Sequence, residues 1–405
     1  MPDCKFSARV GRIKPSPTTA AATRARELIA EGRPVISLTT GEPDTPTPEF
    51  VQEAAIAAMR AGQTRYTNTG GTAELKQAIR HKFRRDNTLD YSDAEVMAAT
   101  GGKQIIFNAL SATVDHGDEV IIGAPYWVSY PDIVQYAGGT PVILPTSAAT
   151  GFKITPDQLE AAITDRSRWL MLNAPSNPSG AIYSKADLRA LAEVLERHRH
   201  VWVMCDDMYE HIRYDGAPYH TMAQVAPALK DRVLTVNGVS KAYSMTGWRI
   251  GFAGGPAELI KEMTKLQSQS TSSPNAVAQA AAAAALNAPL DAVLANTAAL
   301  EARRNRLFDA LAAIKGLSVT KPEGAFYFFI SVAGWLGRRT AAGEILQTDD
   351  DVARFLLETH NLALVSGSGF GMSPFVRLSY AASEEKLDKA LIALTAAAAE
   401  LMKDP

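Results

Sequence analysis

Cysteine is almost absent. Cys4 and Cys205 are the only two in 405 residues, so no disulfide framework is expected and a reducing, cytoplasmic setting fits. Long apolar runs are missing too. The blandest stretch, Ala276 to Leu286, is alanine-rich and interrupted by Gln279, which reads as a packed helix and gives no membrane span. The opening MPDCKFSARVGRIKPSP lacks the apolar core of a secretory signal. Charge of one sign is also lacking: 41 Lys and Arg face 43 Asp and Glu, a net of −2. That balance leaves no basic footprint for nucleic acid or an anionic membrane. The seven histidines show no metal-ligand spacing, so no metal is expected.

What remains is an ordinary globular composition, 46% hydrophobic and 21% charged, with ample material for a large core. From about Val35 to Ala253 short apolar runs alternate with amphipathic segments. PVISLTTG, EVMAATGG, EVIIGAPY, RWLMLNAPS, VWVMCDD, RVLTVNG and WRIGFAGG read as strands bounded by Gly, Pro or Asn. KADLRALAEVLERHRH, with Leu188, Leu191, Ala192 and Leu195 on one face, reads as a helix. The alternation predicts an α/β fold with a mainly parallel sheet covered on both faces. After about Leu290 the texture changes, and GLSVTKPEGAFYFFI, a helix near Val352 to His360, and FVRLSYA predict a smaller α/β layer with an antiparallel sheet, joined by the N-terminal segment. No internal repeat is visible.

Polar residues recur at the carboxyl ends of the expected strands, where open parallel sheets bind ligands. They are Gly101-Gly102-Lys103, Trp127, Asn177, Asp206 with Tyr209, and Ser240-Lys241. The sharpest segment is GVSKAYSMTGWRIG, from Gly238 to Gly251. A lysine in a partly desolvated pocket can form a Schiff base with a carbonyl, and Arg249 brings a planar fork suited to phosphate. Gly101-Gly102-Lys103 opens a helix directly after a strand, where free N–H groups and the helix dipole attract anions.

GVSKAYSMTGWRIG resembles the pyridoxal-phosphate attachment signature of class I (fold type I) aminotransferases. The resemblance extends over nearly the whole chain, through ISLTTGEPDTPTP, TRYTNTGG, TGGKQIIFNAL, APYWVSYPDIV, NAPSNPSGAIY, CDDMYEHI, PEGAFYFF, SGSGFG and VRLSYA in that order. It implies a large domain over 48–293 with a mostly parallel seven-stranded sheet, and a small domain built from 1–47 and 294–405. It implies pyridoxal 5′-phosphate as cofactor, with Lys241 as the catalytic amine and Asp206 under the pyridine ring. Trp127 would stack on the ring, while Asn177 and Tyr209 would meet its phenolic oxygen. Gly102, Lys103, Ser240 and Arg249 would cradle the phosphate, joined by Tyr66 from a neighbouring subunit in a homodimer with shared active sites. Arg377 would clamp the substrate α-carboxylate, and Gly41 would let backbone approach the substrate.

For the side chain of the substrate, the better-known aspartate branch uses a partner-subunit arginine. The matching stretch here, QSQSTSSPNAVAQ, contains no basic residue. Lys103 and Ser16 resemble substitutes used by the bacterial branch, and Lys14 resembles a lysine associated there with prephenate. The implied activity is amino-group transfer between aspartate or glutamate and a 2-oxo acid by a ping-pong route. An aromatic or kynurenine-type aminotransferase, a β-lyase and a non-enzymatic sensor on the same fold remain as alternatives.

Overall fold

The computed structural model describes residues 5–403; Cys4 lies outside them. Among the described residues thirteen strands form three sheets. The large one contains β2 (Val96–Ala99), β3 (Glu119–Ala124), β4 (Thr140–Pro145), β5 (Ser167–Asn173), β6 (Trp202–Asp206), β7 (Val233–Gly238) and β8 (Gly251–Gly254), in the order β2-β8-β7-β6-β5-β3-β4. Only β8 runs against its neighbours. Every residue of β2 and β7 is buried, as expected for strands covered on both faces. A four-stranded antiparallel sheet, β12 (Val365–Ser366), β13 (Phe375–Ser379), β10 (Tyr327–Ser331) and β9 (Ser318–Val319), forms the second layer. Beside it β1 (Ile36–Ser37) pairs in parallel with β11 (Leu362–Ala363).

Two strand expectations need correction. PVISLTTG supplies only the two residues of β1, and these pair with β11 outside the large sheet. The seventh strand of that sheet is β4, which carries Pro141 and Pro145 and is not among the strand segments expected from the sequence. It lies at the sheet edge with a largely solvated pattern, and an edge tolerates residues that lack an N–H.

The helix Lys185–Arg197 is capped reciprocally by Ser184 and Asp187 and buries Leu188, Leu191, Ala192 and Leu195. Each such leucine contributes about 1.5–3 kcal/mol over an exposed one. The alanine-rich helix Ala276–Asn287 is packed, and Gln279 is fully buried within it, holding the Thr67 hydroxyl and the Pro274 carbonyl. No single helix among the described residues is long and apolar enough to cross a membrane.

A buried polar cluster lies apart from the strand ends. Lys82, 1% exposed, donates to Asn87 Oδ1 (2.7 Å), pairs with Glu210 and lies 4.0 Å from Asp86. His211 Nε2 lies 3.0 Å from Asp86. Asp86, Glu210 and His211 thus converge despite lacking a sequence spacing, but the cation they surround is Lys82.

Candidate active site

Parallel strands place their carboxyl ends on one side of a sheet, and the reversal of β8 adds its amino end to the same side. Ala99, Gly238 and Gly251 are aligned there. Asp206 therefore ends β6, Ser240 and Lys241 follow β7, and Arg249 precedes β8 beside the loop Gly101-Gly102. A Cβ on Gly251 would overlap the backbone of both those glycines, so the three segments pack with no side chain between them.

Gly102, Asp206, Ser240, Lys241 and Arg249 line a cavity of about 440 Å³. Lys241 Nζ donates to the Gly41 carbonyl at 2.6 Å. Burial, reinforced by the positive charges of Arg249 and Arg377 and opposed by Glu42 and Asp206, pushes its ammonium down to about 8. Asp206 accepts a 2.5 Å hydrogen bond from the buried Tyr130 hydroxyl on Oδ2, while Oδ1 is buried without a protein partner. Its carboxyl is raised by burial. Tyr209 shares a 2.7 Å hydrogen bond with Tyr327, and burial pushes its phenol well up.

Arg377 is 2% exposed and donates to Asn177 Oδ1 (2.9 Å) and the Thr39 carbonyl (2.5 Å). Its guanidinium lies over the rings of Tyr327 and Phe370 at 4.5 and 4.9 Å, and Nε has no partner. No carboxylate pairs with it among the described residues. Asn177 is held in turn, its N–H donating to Asn173 Oδ1 at 2.8 Å. A Cβ at Gly41 would overlap the Tyr327 hydroxyl, which explains glycine there.

Arg249 adopts φ +59°, donates to the Thr246 carbonyl at 3.0 Å and lies over Gly101, whose own Cβ it would exclude. Gly102 starts the helix Gly102–Thr113 with no side-chain cap, so its first N–H groups are open to an anion. Lys103 Nζ lies 4.8 Å from the Trp127 ring centre, and desolvation with Arg249 nearby lowers its ammonium. Buried Ser240 completes this corner.

Three expected residues do not line this cavity. Lys14 is exposed, with its backbone N–H on Asp132. Ser16 bonds the Thr18 hydroxyl at 2.9 Å instead; the next turn, Thr18 and Thr19, reaches the cavity. Tyr66 is 95% exposed in a separate hollow beside Thr271–Val277. Sequence reasoning missed Arg26, Thr39, Asn173, Tyr130 and Tyr327. Thr39, Tyr130, Asn173 and Tyr327 lie inside quoted segments and carried a signal; Arg26 lies in none of them and reaches the cavity only through tertiary packing.

The arrangement fits pyridoxal 5′-phosphate. An unpartnered buried carboxylate oxygen can receive a protonated ring nitrogen, an uncapped helix start and Arg249 can receive a phosphate, and a buried amine with a lowered pKa can meet an aldehyde. Fold and site together define a fold type I pyridoxal-phosphate enzyme. The profile of the class I and II aminotransferases matches residues 33–394, and the chain belongs to that family: it is an aminotransferase that uses this cofactor.

It is 54% identical over 391 residues to the aspartate aminotransferase of Rhizobium meliloti (strain 1021), covering 96% of this chain and 95% of that one. It is 51% identical over 396 residues to the aspartate/prephenate aminotransferase of Cereibacter sphaeroides (strain ATCC 17029 / ATH 2.4.9), covering 98% and 99%. Among solved structures, the R. meliloti aspartate aminotransferase superposes with a TM-score of 0.96 at 53% identity, covering 98% and 100%. The Thermus thermophilus enzyme with maleate gives 0.90 at 41% identity, covering 97% and 99%.

Proposed function

We propose that the amino donor is a dicarboxylic amino acid, aspartate or glutamate, and the acceptor a 2-oxo acid such as 2-oxoglutarate, with prephenate as a further candidate. One observation carries this reading: the cavity is lined by five cations, Arg26, Lys103, Lys241, Arg249 and Arg377, against a single carboxylate, Asp206. A phosphate and one α-carboxylate leave part of that positive charge unmatched, and a second substrate carboxylate balances it. The names of the relatives point the same way.

When bound, the cofactor supplies an aldehyde for the amine and a ring that takes up the electron pair released at the substrate's α-carbon. Lys241 is the anchoring amine; once freed by the incoming amino group, its Nζ takes the α-proton. Asp206 Oδ1 would hold a protonated ring nitrogen, Trp127 would cover the ring, and Asn177 and Tyr209 would hydrogen-bond its phenolic oxygen. The open backbone N–H groups of Gly102 and Lys103, with Ser240 and Arg249, would receive the phosphate, which leaves the Lys103 ammonium free for the substrate. Arg377 binds the α-carboxylate in a bidentate manner that lysine could not reproduce, with the Gly41 backbone beside it.

The same reading divides the chain into a cofactor-binding body, 48–293, and a smaller one, 1–47 with 294–405, with the cavity between them. Tyr66, nearly fully exposed, serves the phosphate of a second copy in a homodimer. The buried thiol of Cys205, pushed well up by desolvation, suits a cytoplasmic enzyme. Single-turnover half-reactions with aspartate, glutamate, phenylalanine, cystathionine and prephenate as its amino form test the substrate. Conversion by aspartate at least about tenfold faster than by phenylalanine, without pyruvate or ammonia release, is expected; equal rates would overturn the dicarboxylic reading.

A further inference from the structure

The helix Pro17–Ala30 presents Thr18, Ala22 and Arg26, four residues apart on one face, to the cavity. Helical side chains lean toward the amino end of their helix. Arg26 follows this, with Nη2 donating to the Thr23 hydroxyl at 2.9 Å, and the small side chain of Ala22 leaves it room. Its neighbours on the arm are neutralised: Arg24 pairs with Glu27 and Glu358, and Arg33 with Glu358. Arg26 has no carboxylate partner among the described residues, and neither has Lys103 across the same cavity.

The cations can be allotted in turn. Arg249 lies at the uncapped helix start, Arg377 is held between Tyr327, Phe370 and Asn177, and Lys241 is the reacting amine. Lys103 and Arg26 remain, from opposite bodies of the molecule, and the described residues offer neither of them a carboxylate. We propose that Arg26 is a specificity-determining residue, which with Lys103 receives the distal carboxylate of a dicarboxylic substrate at the cavity mouth. This rests on the dicarboxylic reading above and adds the residue that enforces it. An arginine fork can hold both oxygens of a carboxylate while the ammonium of Lys103 supplies a point charge.

The test uses the holoenzyme and Arg26→Gln, with Arg26→Lys as the conservative variant. Maleate, an unreactive dicarboxylate, is titrated against the cofactor absorbance, and half-reactions are measured with glutamate, aspartate and phenylalanine. Arg26→Gln is expected to weaken maleate about tenfold and to raise the concentration of dicarboxylic substrate needed for half-maximal rate, with the limiting rate nearly unchanged. Phenylalanine should be unaffected, and Arg26→Lys should restore part of the loss. Equal effects on maleate and phenylalanine, or none on maleate, in an enzyme that prefers aspartate would overturn the role of Arg26 alone. A wild-type enzyme without that preference would overturn both readings.

Discussion

Lys82 and Lys241 are both withdrawn from solvent, and their surroundings are opposite. Lys82 is enclosed by Glu210, Asp86 and Asn87, with His211 and Arg85 bonding Asp86 from outside. Lys241 has one carbonyl as its hydrogen-bond partner and two arginines nearby. The first cluster is a closed set of complementary charges, whereas the second carries positive charge that the protein does not match. Buried charges are tolerated when paired, so a site left unmatched marks where a ligand completes the balance.

The contrast can be broken most severely at Lys241. Lys241→Ala should lower transamination at least about a thousandfold and abolish the covalent cofactor absorbance; retained turnover would remove this lysine from the mechanism. Lys82→Ala should leave the site chemistry intact but cost about 3–5 kcal/mol of stability by stranding Glu210, measured as a shift in urea midpoint. A shift under about 1 kcal/mol would mean the cluster is not the closed set described. Lys103→Ala should reduce kcat/KM for aspartate about ten- to a hundredfold more than for phenylalanine, and equal losses would assign it to the phosphate.

The smallest effect concerns protons. In the cofactor-free enzyme the pKa of Lys241 is about 8, below its ordinary 10.5, so the unfolded chain binds this proton more tightly. The penalty is full below pH 8 and relieved as pH rises to 10.5. Lys241→Met should therefore stabilise the cofactor-free form most at neutral pH, with the advantage shrinking across that window. An advantage independent of pH would contradict the unmatched-charge description.

The difference between the two lysines also explains what was readable beforehand. The reactive corner is built from short contiguous stretches, so Gly238 to Gly251 and Gly101 to Lys103 announced it directly. Lys82 and its partners come from the helix Ala73–Asn87 and the turn after β6, and nothing in their spacing joins them. The cavity mouth was misjudged by one turn at Ser16 and missed at Arg26, because the N-terminal arm reaches the site only by folding back across it. Prolines disguised β4, and PVISLTTG carried a strand pattern whose partner lies near the far end of the chain.

That last pairing has a consequence in time. The strands of the large sheet all lie within 96–254, so every one of them is made before β11. β1 is made early yet pairs with β11, and Arg33 bonds Asn361 (2.8 Å) and the carbonyl of Glu358 (2.7 Å). The arm must therefore wait until synthesis is nearly complete. Docking of the arm that carries Arg26 and leads into Thr39 and Gly41 follows synthesis of the whole large sheet, so the segments Gly101–Lys103 and Gly238–Gly251 are made long before the arm can close over them.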